Sequence, residues 1–406
     1  MITQQLWDLS SRSATLPAPE TTSTPLVPRR VVLKFGTNLL TGGKDLIDES
    51  VVRSLAEQVA EVRALGTEVL IVTSGAVAAG REALARTPHR AKVQPATVAY
   101  RQMLAALGQA QLMRVYERIF VERGMVVAQA LISRGDLQRK ARQRPIGYLN
   151  VRNTLEALLT VGAVPVINEN DVVATDELEG EVYGDNDRLS AMVANAVDAD
   201  LLVLLGEMEG LFTADPHLDP EALVIPVVER ITPEIERMAG KSLDGRGRGG
   251  MTSKIAAARL ATASGTHVVI ASGRTRRVVA RLCQGEQIGT RFVSKVSRLE
   301  SRKRWLLTGV TDSKGSVTVD TGAAAALIEG GRSLLPAGIT ALDGKFERGD
   351  IIAVRGPDGR VIASGLANYA STEIDAVKGK RTADVGALIN EEHGPEVIHR
   401  DNLALA

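Results

Sequence analysis

The run Thr67 to Gly75, TEVLIVTSG, limits most sharply what this chain can fold into. It is almost continuously apolar, which suits a strand buried on both faces of a parallel sheet and not the alternating pattern of a half-solvated strand. Five further runs predict strands: RRVVLKF (Arg29 to Phe35), MVVAQALI (Met125 to Ile132), VPVIN (Val164 to Asn168), DADLLVLLG (Asp198 to Gly206) and HVVIASG (His267 to Gly273). Helical segments lie between them. Val52, Leu55, Val59 and Val62 recur at helical spacing and stop at Gly66. Further helices are expected from about Ala96 to Glu122, Pro145 to Leu159, from Arg188, from Met251 to Ser264 and from Thr275 to Leu282. Strands alternating with helices imply an α/β fold, a mostly parallel sheet sandwiched by helices. In such sheets ligands bind beyond the carboxyl ends of the strands.

At 406 residues the chain exceeds one small core, so two domains are expected. The Ser-, Thr- and Pro-rich residues 1–28 read as a disordered extension, and 29–293 as the first domain. A polar, basic linker follows at 294–304. Residues 305–385 hold short β-like runs (GSVTVD, DIIAVRG, RVIASGLANY) around a small Ala-rich helix, a compact β-rich domain. Residues 386–406 read as a loosely packed tail. The net charge of +1 exerts no global pull on nucleic acid or anionic membrane. A single cysteine, Cys283, excludes a disulfide within the chain. No apolar run approaches the roughly 18–20 residues of a membrane span. The N-terminal residues lack the pattern of a secretory signal, and a cytoplasmic location is expected.

Three basic or glycine-rich elements and one acidic stretch carry the candidate chemistry. Lys34 ends the first strand and is followed by Gly36, where backbone can approach an anion. DGRGRGGMTSK, Asp244 to Lys254, is a Gly-rich loop opening a helix at Met251; Thr252 and Ser253 add hydroxyls and Lys254 a charge. It is not a Walker A sequence. TSGAVAAG, Thr73 to Gly80, offers a hydroxyl and small residues at a strand end, suited either to an anion or to close helix packing. The stretch Val164 to Ala191 carries Asp171 and the cluster Asp185-Asn186-Asp187, readable as a solvated acidic loop, as a holder for a small cation, or as a steering group for lysines. Phosphoryl transfer needs positioning and cationic stabilisation more than covalent chemistry. Lys34 and Lys254 can flank a transferring group if a shared carboxylate holds them, and Asp187 is the candidate. The five histidines sit in unrelated segments and read as structural or exposed.

With these residues in view, the chain resembles the glutamate 5-kinases of the amino acid kinase family, carrying a C-terminal PUA domain. The matching motifs are VVLKFGTN, IVTSGAVAAGRE, LAALGQ, LNVRNTL, VPVINENDVVAT, GDNDRLSA, GLFTADP and GRGGMTSK, then RKRW, GSVTVDTGA, SLLPAGI and FERGDII, from about Arg29 to Arg400. The resemblance implies ATP-dependent phosphorylation of the γ-carboxylate of L-glutamate, the first step of proline synthesis. By motif it assigns glutamate to Ser74, Asp171 and Asn186, with the backbone of Gly75 and Ala76 beside Ser74. It assigns ATP to Lys34, Lys254 and the loop Arg248, Gly249, Gly250, Met251, Thr252 and Ser253, and gives Asp187 the task of organising the lysines. Mg²⁺ arrives with ATP, with no dedicated metal cage on the protein. TDELEGEVYG, between the acidic positions, has hairpin or lid character. Gly206-Glu207 stands where the family usually shows Thr-Asp or Ser-Asp, a position that touches nucleotide. Feedback inhibition by proline, assembly into dimers or tetramers and functional coupling to glutamate-5-semialdehyde dehydrogenase also follow from the resemblance. The alternatives are another carboxylate or phosphate kinase of the same fold, or an RNA-binding protein acting through the PUA domain. From Lys303 to Val385 there are eleven Lys or Arg against ten Asp or Glu, a balance that argues against tight RNA binding.

Overall fold

The computed structural model describes residues 27–44, 46–86, 97–137, 146–173, 186–216, 218–240, 250–297, 306, 314–385 and 393–406. The expected disorder of the N-terminal extension, most of the linker, the hairpin or lid character of TDELEGEVYG, and residues Asp185, Arg248 and Gly249 lie outside them. Eight strands form the first sheet: β1 Arg30–Phe35, β2 Glu68–Val72, β3 Val127–Ile132, β4 Val164–Glu169, β5 Leu201–Gly206, β6 Val227–Val228, β7 His267–Ser272 and β8 Thr290–Phe292. Their spatial order is β3-β4-β2-β1-β5-β7-β8-β6. Every pairing is parallel except β7 with β8. All six expected strands are present. The sequence did not announce β6 and β8, which are too short to show any period.

The helices of this domain are α1 Thr37–Thr41, α2 Glu49–Ala64, α3 Ala76–Ala85, α4 Val98–Val121, α5 Arg134–Leu137, α6 Ile146–Thr160, α7 Asn186–Ala196, α8 Pro233–Met238, α9 Met251–Thr262 and α10 Val278–Cys283. Helix α2 shows why the segments fold as they do. Asp48 caps it by accepting from Ser50 N at 2.9 Å, Val52, Leu55, Val59 and Val62 are buried, and Gly66 turns the chain at φ 89°. Such a cap contributes about 1 kcal/mol. The helix expected from Thr275 starts only at Val278, because Arg277 takes a left-handed φ of 54°.

Two cores flank the sheet. One joins Val31, Leu33 and Phe35 of β1 to α2, α4 and α10; the other joins Val32 to α6, α7 and α9. Side chains alternate along a strand, so Lys34 falls on the face of Val32, toward α7 and α9. Cys283 lies in the first core, where burial pushes its thiol up to about 12.

The second sheet has five strands in the order β10-β9-β11-β12-β13: β9 Gly315–Val319, β10 Ile339–Gly344, β11 Ile351–Arg355, β12 Val361–Leu366 and β13 Leu403–Leu405. The expectation of a loosely packed tail is corrected here. Val397 and Ile398 are fully buried, and β13 pairs antiparallel with β12. The tail's apolar pairs are too short to show periodicity, but they cover an edge that would otherwise be open. The domains share a seam: Leu366 and Ala404 enter the core that holds α6 and α7, and Arg348 Nη1 donates to Asn150 Oδ1 on α6 at 2.7 Å.

Candidate active site

Strand order fixes the location. The chain leaves β1 to one side for β2, β4 and β3, and to the other for β5 and β7. The crevice therefore opens at the carboxyl ends of β1 and its neighbours. Lys34, Thr73, Asn168, Gly206 and Gly273 end or follow the five strands there. Gly36 N donates to Leu205 O at 3.2 Å and ties the exit of β1 to β5.

Asp187 is the centre of one half of the site. It lies in the first turn of α7, with no solvent exposure at all. Lys34 Nζ sits on its Oδ1, while Lys254 Nζ and Ser253 Oγ both reach Oδ2 at 2.9 Å. A buried carboxylate is tolerated only when it is paired and hydrogen-bonded. Here two ammonium groups share one carboxylate. Lys254 also stands in the first turn of α9, where the helix dipole repels a cation and favours an anion. Both features suit a bound anion such as a phosphoryl group.

The neighbouring half is centred on a neutral amide. Asn186 Nδ2 donates to Ser74 Oγ at 3.1 Å, to Asn168 Oδ1 at 2.9 Å and to the carbonyl of Thr73. Because the Thr73 carbonyl only accepts, the amide orientation is fixed. Both N–H groups are committed, and the Asn186 carbonyl is what remains to accept from a ligand. Beneath it, Thr73 Oγ1 donates to Ser74 O at 3.2 Å and lies 2.8 Å from the hydroxyl of Tyr116 on α4. Burial pushes the Tyr116 phenol up, with the Thr73 bond opposing, so it stays protonated.

The Ser74-Gly75-Ala76 loop is shaped from below. Gly75 has φ 98°, a conformation that favours glycine. Helices α3 and α4 touch backbone to backbone: a Cβ on Gly108 would lie 1.8 Å from Ala76 O, and one on Gly80 would lie 1.8 Å from Leu104 O. For TSGAVAAG the sequence left anion binding and close helix packing as alternatives. The packing is present, and it sets the shape of the loop.

The remaining candidates fall around these two halves. Gly206 ends β5 beside the stem of Lys254: a Cβ there would lie 3.4 Å from Lys254 Cε, an ordinary contact. Glu207 accepts from Asn38 Nδ2 at 3.2 Å and from Arg274 Nη2 at 3.1 Å. Gly250 caps α9 and Met251 begins it; Thr252 Oγ1 donates to Gly240 O at 2.9 Å, and Ser253 faces Asp187 and Gly250 O. The two hydroxyls read as anion donors thus rest on protein acceptors. Asp171 is half-buried in the turn after β4. Asn168, Thr73 and Tyr116 were not singled out from sequence. Asn168 carried a signal, a polar residue closing an apolar strand; Tyr116 carried none, since an aromatic residue in an apolar helix reads as core. Among the described residues no group of three or more His, Cys, Asp or Glu could hold a metal ion.

Comparison with known proteins adds kinship. The model of the amino acid kinase family matches residues 29–272, and that of the PUA domain matches 315–389. A glutamate 5-kinase of Dehalococcoides mccartyi (strain CBDB1) is 45% identical over 377 residues, 93% of this chain and 98% of that protein. One of Herpetosiphon aurantiacus is 45% identical over 92% of this chain and 97% of its own. One of Deinococcus radiodurans is 45% identical over 93% and 99%. Among solved structures, a UMP kinase from Bacillus anthracis is similar with a TM-score of 0.45 and 15% identity, covering 66% of this chain and 97% of that one.

Proposed function

The chain belongs to the amino acid kinase family, in its glutamate 5-kinase branch with a PUA domain, and from that premise we propose its reaction in full: transfer of the γ-phosphoryl group of ATP to the γ-carboxylate of L-glutamate, giving L-glutamyl 5-phosphate. The observation that carries this reading is the pair of lysines on the buried Asp187, next in sequence to an amide that is pinned beside Ser74.

A carboxylate oxygen of glutamate attacks the γ-phosphorus, and the bond to the ADP oxygen breaks. No general base is required, because the attacking group is already ionised near neutral pH. Lys34 and Lys254 stabilise the charge spread over the transferred group, and Asp187 holds them in place and aimed. The segment Arg248 to Lys254, whose last four residues open α9, holds the nucleotide phosphates. Asn186 offers its carbonyl, and Asp171 its carboxylate, to the substrate ammonium; Ser74 and the backbone at Gly75 and Ala76 take its carboxylate. Mg²⁺ travels on the ATP phosphates as part of that substrate and adds to the neutralisation of charge there.

Kinship also supports proline as a feedback inhibitor, a homo-oligomer of two or four chains, and hand-off of the labile acyl phosphate to glutamate-5-semialdehyde dehydrogenase. Among the described residues no helix is long and apolar enough to cross a membrane. The test is purified protein with ATP, Mg²⁺ and glutamate, with the acyl phosphate trapped by hydroxylamine, run with and without proline. Glutamyl hydroxamate is expected. Its absence from folded protein, or equal product from N-acetylglutamate, overturns the assignment.

A further inference from the structure

The glutamate half of the site rests on a buried polar relay that reaches into helix α4. Tyr116 is wholly buried in the first core, among Leu112, Ile119 and Phe120. A phenylalanine would fill that space with no polar atom to satisfy. Instead the hydroxyl lies 2.8 Å from Thr73 Oγ1. The same Thr73 hydroxyl lies 3.2 Å from the carbonyl of Ser74 and can donate to it, so phenol, threonine and Ser74 backbone form one connected set. The relay therefore runs from the phenol through Thr73 to the backbone of Ser74. The carbonyl of the same Thr73 accepts from Asn186 Nδ2, which also reaches Ser74 Oγ. One threonine thus joins the phenol to both the serine and the amide that face the substrate. The same helix supplies Gly108, whose missing side chain lets α4 press on Ala76 O.

We infer that Tyr116 is a positioning residue for glutamate, fixing Thr73 and through it Ser74 and Asn186, while taking no part in holding the nucleotide. The inference rests on the proposed function. The lysine half works through charge and not through these neutral hydrogen bonds, so loss of the relay is expected to be felt on glutamate first. A tyrosine that merely packs would change stability and leave both substrates alone.

The experiment compares Tyr116→Phe, Thr73→Val and the double variant with the unmodified protein, by steady-state kinetics in glutamate and ATP and by thermal unfolding. Thr73→Val keeps the backbone carbonyl that Asn186 uses and removes only the relay hydroxyl; Thr73→Ser restores it. Tyr116→Phe is expected to raise the glutamate KM about 3- to 10-fold, the size of one lost buried hydrogen bond. The ATP KM is expected to stay within about 2-fold, since uniform effects would mark general damage. The double variant is expected to be no worse than the worse single one, because both break the same relay. Thr73→Ser is expected to restore the glutamate KM. Equal changes in both KM values, no change in either, or strictly additive losses overturn the inference. An unmodified protein that forms no glutamyl hydroxamate overturns the function and this inference together; an active one with an unaltered Tyr116→Phe variant overturns the inference alone.

Discussion

Asn186 and Asp187 are consecutive, both buried at the start of α7, and they stand in opposite chemical company. Asp187 is held by two ammonium groups and a hydroxyl. Asn186 is held by a carbonyl, a hydroxyl and another amide. The difference follows from what each half has to meet. A phosphoryl group in flight carries several negative charges, and fixed cations stabilise it only if something keeps them from drifting apart. An amino acid is recognised by a few directed hydrogen bonds, and around Asn186 neutral groups hold that geometry without the desolvation cost of charge, with Asp171 as the charged group beside them. One helix turn serves both, because successive side chains leave a helix about 100° apart.

The sharpest way to break the comparison is to make the charged half neutral. Asp187→Asn is expected to lower kcat by roughly 10²–10³, the cost of losing preorganised charge stabilisation. It is also expected to destabilise the fold by about 3–5 kcal/mol, since the buried Lys34 loses the carboxylate it is paired with. Kinetics and urea unfolding check the two together; a variant with full kcat ends the claim that the lysines need this carboxylate. Asp171→Ala sharpens the other half. Loss of one charge-assisted bond to the substrate ammonium is expected to raise the glutamate KM roughly 10- to 100-fold with little change for ATP. Equal rises in both would make Asp171 structural. Gly108→Ala drives a Cβ into Ala76 O, and overpacking of this kind costs about 1–3 kcal/mol. The accompanying shift of the Ser74 loop is expected to weaken glutamate more than ATP, measured as a KM ratio. Glu207→Ala is expected to do least: it breaks exposed contacts to Asn38 and Arg274, changes stability by under about 0.5 kcal/mol, and alters only the ATP KM, by about 2-fold.

The charged half was legible in the sequence because charges in apolar surroundings stand out. Lys34 closes an apolar strand, Asp187 opens an apolar helix, and Lys254 sits at the end of a helix that repels it. The six long strands were legible for the reason the sheet exists, continuous burial. The neutral half was less so. Tyr116 hides its polar atom inside a core pattern, and no spacing in sequence says that it meets Thr73. Gly108 looks like an indifferent helix residue until the two helices are laid together. The closing strand β13 escaped because three residues carry no period, and its reason for pairing is an edge contributed by β12. What sequence reveals least is whatever depends on two distant segments and on neutral groups.

The seam between the domains has a consequence for how the molecule is made. The last strand of the first sheet ends at Phe292, while Ala404, which covers part of that domain's core, lies about 110 residues further along. At ~5–20 residues per second of synthesis, roughly 5–20 s separate the two. During each round of translation the kinase core can complete its sheet while the apolar face around α6 and α7 is still waiting for its cover. Whatever attends the nascent chain in that interval meets a surface that the finished molecule never shows.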